Sequence, residues 1–194
     1  MTCKAIVIGG SAGGIAVLEI ILAALPVDFR PPLLLVEHLH PSDQGALAER
    51  LASIARLPLA EPCDKDPIEP GHVYTAPANY HLLVERDGSI CLSVDPRVRW
   101  SRPSIDVLFE SAALAWGSGL VAVLLSGANA DGVDGLAAVK AAGGMTLAQN
   151  PAGAESPWMP QAAIDAGVVD EILDVAAIAP RLIQLAAFGS GRKP

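Results

Sequence analysis

The sequence predicts an α/β domain: a buried, mainly parallel sheet covered by helices. Two observations carry this. Short apolar runs of strand length alternate with stretches of helical periodicity along nearly the whole chain, the pattern of βαβ units. The composition is 52% hydrophobic with 18 glycines, which suits strands buried on both faces. At 194 residues the chain can bury a substantial core and is short for two domains.

In order, residues 5–9 read as the first strand and 13–25 as its crossover helix. Pro31-Pro32 opens a second strand at Leu33–Glu37, which ends at His38. Residues 43–56 read as a helix with Leu47, Leu51 and Ile54 on one face. From Pro62 to Pro103 the chain is rich in Pro, Gly and Asp and is expected to form hairpin-like strands and loops. The candidates are Val73–Thr75, Leu82–Val84 and Ile90–Val94, with Asp87-Gly88 as a turn. A helix is expected from Ser104 to Trp116, a buried strand at Leu120–Leu125, and a helix from Val133 to Ala142. A strand at Met145–Ala148 follows, then a helix near 160–166, a strand near 168–172 and a last helix near 175–187. Trp158 and Met159, lying between Pro157 and Pro160, read as loop. Residues 1–186 are expected to form a single domain, with 187–194 a flexible tail.

The first strand runs straight into Gly9-Gly10-Ser11-Ala12-Gly13-Gly14. This contains G-x-S-x-G, a strand–turn–helix element that lifts a serine hydroxyl clear of a sheet for nucleophilic attack. Glycines on both sides permit backbone angles that side chains forbid. The following helix points unpaired N–H groups at the same spot, where an oxyanion could be stabilised. Two other readings compete. Gly9-x-Ser11-x-x-Gly14 approximates the dinucleotide fingerprint, with Glu37 as the ribose acid, although a serine replaces the middle glycine. Ser11 could also serve only as a helix N-cap.

Ligands of open α/β sheets bind beyond the carboxyl ends of the strands. Ser11, His38, Asp131 and Asn150 each fall at such an end, on four different expected strands. The first three supply a nucleophile, a general base and an acid to orient the base. Asp106 and Asp134 rival Asp131, but both fall in helices, where a carboxylate near the N-terminus favours the dipole whatever the function. His38 and His40 lack a third metal ligand. His72 and His81 have packing or capping roles as alternatives. The order Ser, His, Asp differs from that of α/β-hydrolases, which is Ser, acid, His.

A net charge of −8 and a pI near 4.8, with no run of basic residues, argue against a nucleic-acid partner. Cys3, Cys63 and Cys91 show neither a disulfide framework nor metal spacing. The apolar stretch 5–25 contains four glycines within six positions and no cleavage site, so neither membrane insertion nor a signal peptide is expected. The expected location is the cytoplasm, and no cofactor is implied.

Taken together the motifs resemble the catalytic domain of CheB, the chemotaxis protein-glutamate methylesterase family. The resemblance covers about residues 4–185. It rests on IGGSAGG at 8–14, VEHLHP at 36–41, PGHVYTAP at 70–77, RPSIDVLF at 102–109, LLSGANADGVDGL at 124–136, AQNP at 148–151 and MPQAAI at 159–164. It implies a doubly wound, three-layer α/β fold with a small antiparallel hairpin region. It also implies a carboxylic ester hydrolase whose triad is Ser11, His38 and Asp131. The implied reaction is demethylation of glutamate γ-methyl esters on the cytoplasmic helices of methyl-accepting chemotaxis receptors, and family members also deamidate receptor glutamines. The resemblance points to the backbone N–H groups of Ala12 and Ala128 for the oxyanion, and to Arg102 and Met159 for substrate. Three departures stand out: Ala12 where the family has a threonine, Glu37 where glutamine is common, and Ala128 in place of a methionine. The receiver domain that precedes this domain in the family is not among these residues, so a stand-alone domain is expected. Two other functions fit the sequence: a catalytically silent receptor- or partner-binding module, and a triad esterase with another substrate.

Overall fold

A computed structural model describes residues 2–187. The expected tail lies outside the described residues except for Ala187, which instead closes the last helix.

The described residues form nine strands and six α-helices. They are β1 (Ala5–Gly10), α1 (Gly14–Ala24), β2 (Leu33–Glu37), α2 (Ala46–Ala52), β3 (Leu59–Ala60), β4 (Val73–Thr75), β5 (His81–Val84) and β6 (Ile90–Ser93). There follow α3 (Ile105–Trp116), β7 (Leu120–Leu124), α4 (Val133–Ala141), β8 (Met145–Gln149), α5 (Trp158–Asp165), β9 (Glu171–Leu173) and α6 (Val175–Ala187). Seven strands form one sheet in the order β3-β4-β2-β1-β7-β8-β9, and every pairing in it is parallel. β5 and β6 form a separate antiparallel hairpin.

Strand side chains alternate between two cores. In β1, Ala5 and Val7 join one cluster with Leu108 and Phe109 of α3, Leu136 of α4 and Met159 of α5. Ile6 and Ile8 join the other, with Leu18 and Ile21 of α1, Leu51 of α2 and Leu182 of α6. A strand apolar at every position must be covered on both faces, and the doubly wound, three-layer architecture provides that cover. Its winding reverses at β1. The chain moves outward through β2 on one side and through β7 on the other, so the ends of β1, β2 and β7 open onto one crevice.

Several boundaries differ from expectation, each for a local reason. Val73–Thr75 is a strand of the parallel sheet, seated between β2 and β3, rather than part of a hairpin. Its three residues carry no signal of which sheet they join; the register to Leu33–Leu35 decides it. The two-residue strand β3 was not expected at all. Helix α2 covers only Ala46–Ala52, entered from Gly45 in the left-handed region (φ 92°), and leaves Ile54 beyond its end. The strand near 168–172 lies at Glu171–Leu173. Trp158 and Met159 begin a helix instead of a loop: Pro157 is the residue before it and Pro160 lies in its first turn, where a missing N–H leaves no bond unmade. Among the described residues, no helix is long and apolar enough to cross a membrane.

Candidate active site

β1 hands over to α1 through a turn that the rest of the fold holds from outside. The Ser11 N–H donates to the Ser126 carbonyl (2.9 Å), and the Ser11 carbonyl accepts from the Gly14 N–H (2.7 Å). Ser126, buried just after β7, donates its hydroxyl to the Ala12 carbonyl (2.7 Å) and accepts from the Ser156 N–H (2.9 Å). Its own N–H donates to Gln149 Oε1 (2.9 Å). Of the turn's glycines only Gly13 uses a left-handed backbone (φ 80°). Gly10 and Gly14 serve another purpose: a Cβ on either would lie 2.6 Å from Glu37 Oε2. The space a pyrophosphate would need is occupied by a carboxyl group, which removes the dinucleotide reading of this turn. Ser11 provides no side-chain cap to α1.

Its hydroxyl faces His38 instead. Ser11 Oγ lies 3.2 Å from His38 Nδ1, and His38 Nε2 lies 2.7 Å from Asp131 Oδ2. A carboxylate only accepts, so Nε2 carries the proton and Nδ1 presents its lone pair to the serine. The three side chains come from the ends of β1, β2 and β7, as the strand-end argument requires.

Asp131 is fully buried and sits on the N-terminus of a helix that is not its own. Its oxygens accept from the backbone N–H of Ile105 (2.8 Å) and Asp106 (3.1 Å), and from the Ser104 hydroxyl (2.8 Å). Ser104, the residue before α3, makes no side-chain cap of its own; Asp131 caps that helix across space. Burial acts to raise its carboxyl, but His38 and these amides outweigh burial and hold it below the usual carboxylate range.

The arrangement is reciprocal. Asp106, in the first turn of α3, accepts from the N–H groups of Gly132 and Gly135 (2.8 Å each) at the start of α4. Each helix therefore lends a carboxylate to the other's positive end. Arg99 pins the pair from outside, donating to Asp106 (3.1 Å) and to Asp134. Burial, and to a smaller extent the nearby Asp131 charge, push the Asp106 carboxyl up to about 6. Of the three candidate acids, Asp131 alone reaches His38.

The N–H groups of Ala12 and Ala128 are not taken up by any other group among the described residues, which leaves them open to an oxyanion. Arg102 lines the same cleft as His38, with Nη1 fixed on the carbonyls of Val94 and Asp95. Met159 is completely buried and packs under Gly127, where an added Cβ would meet its Cε at 2.4 Å. It supports the loop after β7 from below, and the direct substrate contact expected of it is ruled out by that burial. Trp158 beside it is 65% exposed. Asn150, the fourth strand-end residue, stays outside the site: it caps a short turn through Ala152 and bonds Asp174. His81 is buried between the Ser104 N–H and the Pro96 carbonyl. His72 stacks on Tyr74, and His40 bonds Ser42. Among the described residues no group of three potential ligands gathers to hold a metal.

Reading by sequence missed Ser126, Gln149, Ser104 and the bracing role of Asp106. Ser126 and Gln149 do lie at strand ends, a signal the sequence carried, whereas the exchange of caps between α3 and α4 is visible only in three dimensions.

Comparison with known proteins places the chain in a family. Residues 6–182 match the CheB methylesterase family. A Leptospira interrogans protein is 43% identical over 185 residues, which cover 95% of this chain and 96% of that one. The protein-glutamate methylesterase/protein-glutamine glutaminase 2 of Pseudomonas aeruginosa is 39% identical over 99% of this chain, which spans 56% of that longer relative. The crystal structure of the Thermotoga maritima CheB methylesterase catalytic domain superposes with a TM-score of 0.90 at 33% identity, covering 95% of this chain and 100% of that one. Likeness of this extent, in sequence along most of the chain and in the whole fold, is decisive: the chain belongs to the CheB methylesterase family.

Proposed function

We propose that this chain is a protein-glutamate methylesterase in which Ser11 is the nucleophile, His38 the general base and Asp131 the residue that holds His38 in its productive tautomer. The observation that carries this is His38 bridging Ser11 Oγ and Asp131 Oδ2 at 3.2 and 2.7 Å. Ser11 Oγ attacks the ester carbonyl while Nδ1 takes its proton; the carbonyl π electrons move onto oxygen, which the N–H groups of Ala12 and Ala128 receive. Collapse of this intermediate expels methoxide, which leaves as methanol with the proton from Nδ1. Water then enters, gives a proton to Nδ1 and attacks the acyl-serine. The products are a glutamate and the regenerated serine. Each oxyanion donor is worth about 3–4 kcal/mol in such reactions.

Cytoplasmic helices of chemoreceptors are the substrate this reading assigns, in keeping with the family. The same nucleophile acting on a glutamine amide would release ammonia, the second activity in the name of the P. aeruginosa relative. Methanol release from methylated receptor membranes tests the reading. Ser11→Ala is expected to lower it by roughly 10^6-fold with the fold intact by circular dichroism. A folded Ser11→Ala protein that turns over at the native rate would overturn it.

A further inference from the structure

The turn at 97–102 is built in a way its fold does not require. Val98 and Ser101 exchange two backbone hydrogen bonds (3.1 and 2.8 Å) and close a two-residue loop at Arg99-Trp100. Both loop residues occupy the left-handed region, with φ of 46° and 69°, where glycine or asparagine is the ordinary choice. A tryptophan held there, 91% exposed, is disfavoured on backbone and on solvation grounds at once. The conformation persists because Arg99 is anchored on Asp106 and Asp134 and Arg102 on the carbonyls of Val94 and Asp95. Those anchors leave the exposed Arg97 with no ion pair among the described residues. Arg97 and Trp100 share with His38 the walls of one cleft of about 80 Å³.

Charge shows what such a cleft fits. The chain carries a net charge of −8 and repels an acidic polypeptide at long range. Within about 8 Å at physiological salt, local charges dominate. The cleft walls carry Arg97 and Arg102 and, among the described residues, no carboxylate. We infer that Arg97 and Trp100 are specificity-determining residues for this site: Arg97 receives an acidic side chain flanking the esterified glutamate, and Trp100 covers the apolar face of the same segment. The inference rests on the esterase reading above. The anchors make the turn rigid before substrate arrives, so little ordering entropy is lost on binding. Tryptophan and arginine are among the residues enriched at energetic contact centres.

The test uses two synthetic peptides, each carrying one glutamate γ-methyl ester, with flanking residues either glutamate or lysine. The readout is the ratio of kcat/KM for the two, which a change in overall activity does not move. The native protein is expected to favour the glutamate-flanked peptide about tenfold. Arg97→Glu is expected to invert the preference and Arg97→Lys to keep it. Trp100→Ala is expected to raise KM for the glutamate-flanked peptide by about tenfold, with Trp100→Phe intermediate. Binding of both peptides to the Ser11→Ala protein, followed by fluorescence anisotropy, separates this inference from the one beneath it. A binding preference without any ester turnover would break the esterase reading alone. Equal binding of the two peptides, or a ratio unmoved by Arg97→Glu, overturns the role of the turn.

Discussion

Two buried carboxyl groups bracket His38, and the fold treats them in opposite ways. Asp131 gathers His38, two helix amides and a serine hydroxyl, and its carboxyl is held low. Glu37, the residue just before His38, is 3% exposed. Its Oε2 has no hydrogen-bond partner, and burial pushes its carboxyl well above the usual range. Both lie near the start of a helix, yet only one meets N–H groups. Depth alone therefore does not set the charge of a carboxyl; the donors supplied to it do. Asp131 is built to stay an anion behind the histidine. Glu37 lies beneath the nucleophile turn, where burial without a donor at Oε2 favours its neutral form.

Asp131→Asn is the sharpest way to break the contrast, since it keeps size and removes charge. It is expected to lower turnover by about 10^4-fold, as the isosteric change does in serine proteases. A loss below tenfold in methanol release would show that His38 does not need the anion. Asp106→Ala comes next. It strips the acceptor from Gly132 and Gly135 and leaves Arg99 with Asp134 alone, so a loss of about 2–4 kcal/mol is expected in urea unfolding.

Glu37→Gln sharpens the comparison from the other side, through pH. A raised carboxyl binds more protons folded than unfolded, so stability falls as pH rises from the unfolded value toward the folded one. Asp131 has the reverse sign: its contribution is present above the unfolded carboxylate pKa and is lost as pH falls through its lowered folded value. Glu37→Gln is thus expected to leave Tm unchanged near pH 4 and raise it by a few degrees at pH 8. A gain independent of pH would place the effect in packing rather than ionisation. The smallest effect is electrostatic. Removing the Asp131 charge in Asp131→Asn is expected to draw the Asp106 carboxyl down from about 6, read by carboxyl-carbon NMR titration.

Ser11, His38 and Asp131 were legible in the sequence because each follows an apolar run that ends abruptly, and parallel sheets gather such ends at one edge. Helix α3, with Ser104 before it, and the β5–β6 hairpin around Asp87-Gly88 were legible for similar reasons of periodicity and turn chemistry. Val73–Thr75 was not. A valine, a tyrosine and a threonine suit a hairpin and a parallel sheet equally, and only pairing with β2 separates them. The segment at Trp158 and Met159 read as a loop because two prolines flank it; a helix starting at Trp158 turns Met159 inward.

By itself, then, the sequence determined the layer architecture, the strand ends and the three side chains that meet beyond them, because periodicity and turn residues are local properties. The tertiary structure alone decided that α3 and α4 cap each other through Asp131 and Asp106, and that Ser126 fastens the nucleophile turn. It also decided that Glu37 lies buried without a donor at Oε2. Each of these depends on hydrogen bonds between residues 25 or more positions apart, or on their absence, and no local pattern records where a distant N–H will point.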